Sequence, residues 1–405
     1  MQTRRVVILG STGSIGRQTL EVIAHVNERA AHMQSEVRFD VVGLAAGKNA
    51  SLLAEQARRW NVPDVAICGG GQGHIELRNA LCGQSSAEEL VRSVDADIVV
   101  AAMVGAAGIP ATLAAIERGC DVALANKETL VAAGSLVVRA ISGSKAAQRP
   151  RLLPVDSEHA GVWQCLAGLC GSECVPPLQL GKHVAKVTLT ASGGPFRTWT
   201  KDAIFAATPE QALKHPTWTM GGKVTIDSAS LMNKCLELIE AYWLFGVDQE
   251  RLEALIHPQS IVHAMVETLE GSVMMQCAMP DMRTPIQMAL LYPERASGLP
   301  VPLSLVHAKN LSFEAIDLER FPAMNFWRQC VGCVHGNTTR GAILNAANEV
   351  AVARFLDQSK PVMTFGTISR VVEEVLRTQI ARTIESLADV LAADAAARDA
   401  CRRLL

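Results

Sequence analysis

The sequence is poor in aromatic residues. Phe, Trp and Tyr make up 4% of its 405 residues, and only two are tyrosines. That excludes a surface that stacks nucleobases by the row. Charge is also sparse, at 19%, and carries no excess of one sign: 38 Lys and Arg face 40 Asp and Glu. The net charge of -2 excludes a globally basic nucleic-acid binder. Low charge beside 49% hydrophobic residues also excludes a largely disordered chain. A second CxxC is missing. Cys330 and Cys333 form one, with His335 beyond, while Cys165, Cys170 and Cys174 stand at loose spacing, so a zinc knuckle is not expected. Internal repeats and low-complexity tracts are absent too.

Mean hydropathy is +0.18, so a membrane reading has to be tested. The longest uncharged run spans 98–116, between Asp97 and Glu117. It contains Gly105, Gly108, Pro110 and Thr112, and reads as a buried strand, a glycine turn and a helix opened by Pro110. The N-terminus, MQTRRVVILG, passes from two arginines into a strand, without the apolar length or cleavage site of a signal peptide. Eleven cysteines, an odd number, then predict reduced thiols in a cytoplasm.

The length calls for two or three domains. Over residues 1–150, VVILG, FDVVGLAA, VAICG, IVVAA and VALAN alternate with helical stretches. This βαβα rhythm predicts a Rossmann-like parallel sheet in an α/β protein. After Arg149-Pro150 the texture changes. LLPVD, VAKVTLTAS, SIVHAMVE and SVMMQCAM read as strands, with a helix over 233–245, so 151–292 is expected to be an α+β catalytic domain. Pro293, Pro300 and Pro302 mark a surface linker over 293–311. Residues 312–405 are expected to form a helical domain ending in an Ala- and Arg-rich amphipathic helix.

GSTGSIG places Gly10, Gly13 and Gly16 between a strand and a helix. Glycines allow a tight turn and close backbone approach, and the helix N-terminus offers free N–H groups to a pyrophosphate. Thr12, Ser14 and Ile15 stand where they would reach a cofactor; a plain strand-to-helix turn is the alternative. The second strand ends without the acid that usually binds a ribose hydroxyl. It offers Gly47, Lys48 and Asn49, which favours NADPH over NADH unless Lys48 is only a solvated loop residue. Asn126, Lys127 and Glu128 follow the fifth strand, where ligands of such sheets bind.

Asp156 and Glu158 are spaced i, i+2, which in an extended segment points both to one side. Asn233 and Lys234 share a helix face with Glu237. Three acids brought together would suit Mg²⁺ or Mn²⁺; solvated surface acids are the alternative. Ser192-Gly193-Gly194 forms an anion-binding type of turn, and with Ser228, Asn233 and Lys234 suggests a phosphate pocket. HPTWTMGGK, from His215 to Lys223, has the make-up of a lid, with Trp218 and Met220 covering a ligand. His257 and His263 flank a probable strand, with Pro258 marking a turn, and read as structural. Asp281 and Arg283 read as a local ion pair.

Taken in order, GSTGSIG, AGKN, VGAAG, LANKE, PVDSEH, SGGPF, HPTWTMG, DSASLMNKCLE, HPQSIVH, PDMRTP and LNAANE resemble the 1-deoxy-D-xylulose 5-phosphate reductoisomerase family over nearly the whole chain. The resemblance implies NADPH contacts at Thr12, Gly13, Ser14, Ile15, Gly47, Lys48, Asn49, Asn126, Glu128 and Gly221. It implies metal ligands at Asp156, Glu158 and Glu237. Implied substrate contacts are Lys127, Ser157, Glu158, Ser192, His215, Ser228, Asn233, Lys234 and Glu237, with Ser192, Ser228, Asn233 and Lys234 holding the phosphate. Lys127, Asp156, Glu158 and Glu237 would be catalytic, and Trp218 and Met220 would belong to a flap. Three positions depart from the family pattern: Gly222, where a basic residue is common; Thr217, where Asn is; and Trp163, where Phe is. The implied reaction rearranges the carbon skeleton by a retro-aldol/aldol route and reduces the resulting aldehyde. A cytoplasmic homodimer acting on a phosphorylated small molecule is implied, with neither nucleic acid nor membrane as partner. Two readings remain beside it: an NADPH-dependent oxidoreductase on a related phosphorylated sugar without rearrangement, and a non-catalytic NADP-sensing module.

Overall fold

The computed structural model describes residues 2–32, 35–69, 79–146, 148–171, 174–180, 183–218, 220–308, 310–332, 336–357, 359–360 and 362–405. Val6, Val7, Ile8 and Leu9 are all buried, which a strand achieves only when both faces of its sheet are covered. They end β1 (Gln2–Leu9), the middle of a seven-stranded parallel sheet. The other strands are β2 (Val37–Ala46), β3 (Asp64–Ile67), β4 (Asn79–Cys82), β5 (Ile98–Ala101), β6 (Asp121–Leu124) and β7 (Leu152–Pro154). The order is β4-β3-β2-β1-β5-β6-β7. Helices α1 (Ser14–Ala31), α2 (Ala50–Trp60), α3 (Ser86–Ser93), α4 (Ile109–Glu117) and α5 (Lys127–Ser142) form the crossovers. Strand order reverses between β1 and β5, which opens a crevice at their carboxyl ends.

The uncharged run at 98–116 is β5 followed by α4, with Pro110 in the helix's first turn. No described helix is long and apolar enough to cross a membrane. β7 corrects one expectation. The LLP run, read as the opening of the second unit, pairs with β6 and is the last strand of the first sheet.

Next come α6 (Ser157–Cys170), β8 (Val184–Ala191), α7 (Lys201–Phe205), α8 (Pro209–Ala212), α9 (Gly222–Ala229) and α10 (Met232–Phe245). They are followed by β9 (Leu252–Ile256), β10 (Val262–Thr268), β11 (Val273–Cys277) and α11 (Arg283–Leu291). These strands form a mixed sheet in the order β11-β10-β8-β9. α6 packs on β10 and β11, and α10 packs on α5. Gly134 makes the α5–α10 approach possible: a Cβ there would come within 2.4 Å of the Trp243 indole. That packing sets the N-terminal halves of the two helices side by side.

Residues 293–311 run over the surface, with Val301 and Val306 exposed and one short helix, α12 (Leu305–Ala308). Helices α13 (Trp327–Val331), α14 (Arg340–Leu356), α15 (Phe365–Thr378) and α16 (Leu387–Leu404) follow. α14 also packs on α5 and α9, so the C-terminal helices close over the junction of the two sheets. Cys333 and His335 lie outside the described residues.

Candidate active site

The GSTGSIG turn stands at the reversal point. Gly10 has φ 87°, and a Cβ there would sit 2.4 Å from the Ala102 carbonyl oxygen beyond β5. Only glycine fits. Gly13 is the N-cap of α1 and no side chain caps that helix, so its first amides remain for an anion. Thr12 and Ile15 are half-buried, and Gly13 and Ser14 are exposed. Gly47, Lys48 and Asn49 lie exposed after β2, with Asn49 Oδ1 capping α2 through the Leu52 amide at 3.1 Å. Asn126 is buried and its side chain is occupied. Its Oδ1 accepts from the Thr129 amide at 2.9 Å, and its Nδ2 donates to the carbonyls of Met103 and, at 3.1 Å, Gly105. It clamps the loop after β5 rather than facing outward. Glu128 is buried and accepts from Lys223 Nζ at 2.8 Å.

The acids converge, by a route the sequence did not predict. Asp156 and Glu158 are not on an extended segment. The strand ends at Pro154, and Asp156 becomes the N-cap of α6 with Glu158 in its first turn, a position that favours a carboxylate. Asp156 makes no cap bond. Its Oδ2 lies 2.6 Å from Lys127 Nζ instead. Lys127 also donates to Asn233 Oδ1 at 2.8 Å and to Glu237 Oε1 at 3.1 Å. Lys234 Nζ donates to Glu158 Oε1 at 2.8 Å and to Glu237 Oε2. Glu237, almost fully buried, thus sits between two lysines, each of which holds a further acid.

Burial opposes the charge on Lys127, but Asp156 and Glu237 outweigh it and raise its pKa well above the ordinary value. Glu158 and Glu237 do the same for Lys234. Burial also resists ionisation of Glu158, yet Lys234 pulls its pKa down. For Glu237, burial and the neighbouring Glu158 push the pKa up. Three carboxylates against two ammonium groups leave negative charge in excess. All the donors are hard oxygens, so the set fits Mg²⁺ or Mn²⁺.

Asp156, His159 and Glu240 also bring ligand atoms within 4.8 Å of one another. This trio is an ion-pair cluster. His159 Nδ1 lies 3.1 Å from Glu240 Oε2, and Nε2 lies 2.9 Å from the Glu237 carbonyl oxygen. Nε2 faces a carbonyl and so carries a proton, and Nδ1 faces the Glu240 carboxylate, which favours a second proton there over a free lone pair. Burial opposes that charge, but Glu240 outweighs it and lifts the pKa to about 9.

Ser192 and Ser228 meet at His215. Its Nε2 lies 3.1 Å from Ser192 Oγ and 3.0 Å from Ser228 Oγ, while Nδ1 accepts from the amides of Thr217 and Trp218. Those amides fix the ring proton on Nε2, and burial lowers the pKa, keeping the ring neutral. Gly194, at φ 63°, allows the approach, since a Cβ there would lie 2.8 Å from the Ser228 carbonyl oxygen. Trp218 and Met220 follow, half-buried; Thr219 between them lies outside the described residues. Asn233 and Lys234, expected to hold a phosphate with the serines, also contact Glu237. Leu231, a buried residue with φ 58°, turns the chain sharply between α9, which carries Ser228, and α10, which carries Asn233 and Lys234.

His263, read as structural, also touches the site. Its Nδ1 lies 3.0 Å from Ser157 Oγ, which donates to Glu158 Oε2 at 2.6 Å. No local spacing signals a contact across 106 residues. Glu240 was legible in principle, being one turn beyond Glu237. His257 is structural as expected, stacked on Phe313 with Nδ1 facing the Ser312 carbonyl at 2.8 Å. Asp281 and Arg283 form the expected ion pair, at 2.5 Å.

A parallel sheet with a glycine turn at its switch point, beside a carboxylate–lysine centre on the next domain, defines a dinucleotide-dependent enzyme. Family models narrow the class. Residues 6–134 match 1-deoxy-D-xylulose 5-phosphate reductoisomerase, 152–245 match its C-terminal domain, and 277–400 match a DXP reductoisomerase C-terminal domain. The chain is 46% identical to the 1-deoxy-D-xylulose 5-phosphate reductoisomerase of Pelotomaculum thermopropionicum, covering 98% of this chain and 97% of that protein. Identity to the Symbiobacterium thermophilum protein of the same name is also 46%, over 98% and 97%. The solved Zymomonas mobilis reductoisomerase in complex with NADPH superposes with TM-score 0.84 at 39% identity, covering 100% and 99%. A DOX-P reductoisomerase in complex with NADPH, fosmidomycin and magnesium gives TM-score 0.84 at 32% identity, over 99% and 98%. The chain belongs to the 1-deoxy-D-xylulose 5-phosphate reductoisomerase family.

Proposed function

We propose that this chain converts 1-deoxy-D-xylulose 5-phosphate to 2-C-methyl-D-erythritol 4-phosphate, the reductive isomerisation of non-mevalonate isoprenoid precursor synthesis. The convergence of Asp156, Glu158 and Glu237 on Lys127 and Lys234, beside the nucleotide crevice, carries this reading. NADPH supplies the hydride, and Mg²⁺ or Mn²⁺ supplies Lewis-acid polarisation when bound.

The chain's own residues do the rest. Thr12, Gly13, Ser14 and Ile15 receive the pyrophosphate at the start of α1, and Gly47, Lys48 and Asn49 receive the 2′-phosphate end. Asn126, Glu128 and Gly221 line the nicotinamide side, Asn126 by shaping the loop it clamps. Asp156, Glu158 and Glu237 are the metal ligands. Ser192, Ser228, Asn233 and Lys234 hold the substrate phosphate, with His215 beside the two serines. Ser157 orients Glu158. Lys127, charged and buried, donates a hydrogen bond or proton to a substrate oxygen, and Glu158 moves the proton of a substrate hydroxyl. Trp218 and Met220 close over the ligand and keep water from the aldehyde.

The division into nucleotide, catalytic, linker (293–311) and helical (312–405) segments is proposed with β7 (Leu152–Pro154) counted in the nucleotide sheet and the catalytic segment running from there to 292. The exposed apolar side chains of edge strand β11, Val273 and Met275, support a homodimer. Free thiols such as buried Cys235 support a reducing cytoplasm. The test is incubation with 1-deoxy-D-xylulose 5-phosphate, NADPH and Mg²⁺ or Mn²⁺, following NADPH absorbance and product mass and structure. The branched product is expected. NADPH loss that yields an unbranched polyol would favour reduction without rearrangement, and turnover that survives chelation would remove the metal.

A further inference from the structure

Lys223 stands where the flap re-enters the fold, three residues beyond Met220. Its Nζ lies 2.8 Å from Glu128 Oε1 and 2.9 Å from Asp227 Oδ2. Asp227 Oδ1 in turn accepts from Asn348 Nδ2 at 2.8 Å. The four side chains come from α5, α9 and α14, one helix from each part of the chain. Asp227 and Asn348 are at most 1% exposed and Glu128 is 5% exposed, so this is a built polar network rather than a surface ion pair. Burial opposes the charge on Lys223, but Asp227 and Glu128 outweigh it and raise its pKa, so the lysine stays charged.

The two residues just before it differ in kind. A Cβ on Gly221 would meet nothing within 4 Å, and one on Gly222 would find its nearest atom at 3.6 Å. Neither glycine is needed to make room for another part of the chain. Neither has a positive φ, Gly221 standing at -64°, so toward the chain itself what they add is backbone freedom between the flap and Lys223. A loose joint therefore abuts a fixed anchor, and the anchor grips Glu128, the neighbour of Lys127.

We propose that Lys223 is a positioning residue for the reaction: it sets the Glu128 carboxylate toward the cofactor and moors the flap's C-terminal end to that same carboxylate. This rests on the reading of Glu128 as an NADPH contact. Flap closure and cofactor seating then share one ionic joint, held from behind by Asp227 and Asn348. The phosphate pocket around His215 lies at the flap's other end, so Lys223 acts on the cofactor and not on the sugar phosphate.

The test is steady-state kinetics on the full chain with NADPH and the sugar phosphate varied separately. K223M is expected to raise KM for NADPH about 10-fold, with smaller changes in kcat and in KM for the sugar phosphate. K223R should recover most of the loss. E128Q alone should raise KM for NADPH, and K223M/E128Q should be no worse than E128Q. If E128Q leaves that KM unchanged, the reading of Glu128 fails. If E128Q raises it and K223M does not, the role of Lys223 is overturned, whatever K223M does to Tm. K223M/D227N removes the more deeply buried of the two acids that K223M leaves uncompensated and serves if K223M does not fold; a wild-type KM for NADPH in it overturns the proposal equally.

Discussion

Lys127 Nζ donates to Glu237 Oε1 at 3.1 Å, joining the first residue of α5 to the middle of α10 across the junction of the two sheets. Glu237 is 1% exposed, and each of its oxygens faces a lysine. Exchanging it for Gln keeps the shape and removes one of three negative charges, which cancels the excess that attracts a cation. E237Q is expected to weaken Mg²⁺ binding at least ~10–100-fold and to cut turnover by on the order of 100-fold. NADPH affinity should not change, because the glycine turn is untouched. A Mg²⁺ titration of turnover, with NADPH binding followed by fluorescence, checks both. Near wild-type turnover at ordinary Mg²⁺ would remove Glu237 from the metal site.

The features legible in the sequence are those with a local physical signature. The strand before Gly10 is a run buried on both faces, and α10 shows its face through Asn233, Lys234 and Glu237. β7 was not legible. It has three residues, and nothing in LLP says that its partner is Val122–Leu124 rather than a later strand. Asp156 was placed with Glu158 on an extended segment, although Asp followed by Ser and Glu is also a helix-start pattern. The Lys234–Glu158 pair was not legible either. The fold buries Lys234, and a buried ammonium needs acids around it, which Glu158 and Glu237 provide. Long-range partners such as Ser157 and His263 leave no trace in spacing.

Lys48 tests cofactor choice. It is exposed at the end of β2, in a segment of Gly, Lys and Asn that holds no carboxylate to receive a ribose hydroxyl. A charge-assisted contact to a 2′-phosphate is the interaction it can offer. K48A is expected to lower kcat/KM for NADPH about 10-fold and to leave that for NADH nearly unchanged. An equal loss with both cofactors would mean that Lys48 does not read the phosphate.

His215 gives a pH dependence with a definite sign. Its pKa is lowered from 6.5 by burial, so the folded state prefers the neutral ring more than the unfolded chain does. The stabilisation from the neutral ring is complete above 6.5 and is lost as pH falls through the lower folded value. Protonation takes the Nδ1 lone pair from the amides of Thr217 and Trp218, which hold the start of the flap. In the ligand-free protein the His215 ring should titrate with a midpoint below 6.5 by NMR. Over the same interval the two amides should lose exchange protection relative to the core. A midpoint above 6.5 would contradict the arrangement.

β11 bears on assembly. Among the described residues it pairs with β10 alone, and its inner side chains pack on α6, where Met274 lies close to Gly168. The alternate residues turn the other way: Val273 is 50% exposed and Met275 45%. An edge strand that shows apolar side chains invites pairing with another chain unless something covers it. A second copy laid on this edge would cover it and extend the sheet. The protein is therefore expected to sediment as a dimer. V273K/M275K, which puts two like charges opposite their own symmetry mates, should yield a monomer at micromolar concentration. The substitutions lie on the uncovered face, so the secondary structure should be kept. Wild-type protein sedimenting at 43.3 kDa would exclude the dimer, and a dimer that survives both lysines would place its interface elsewhere.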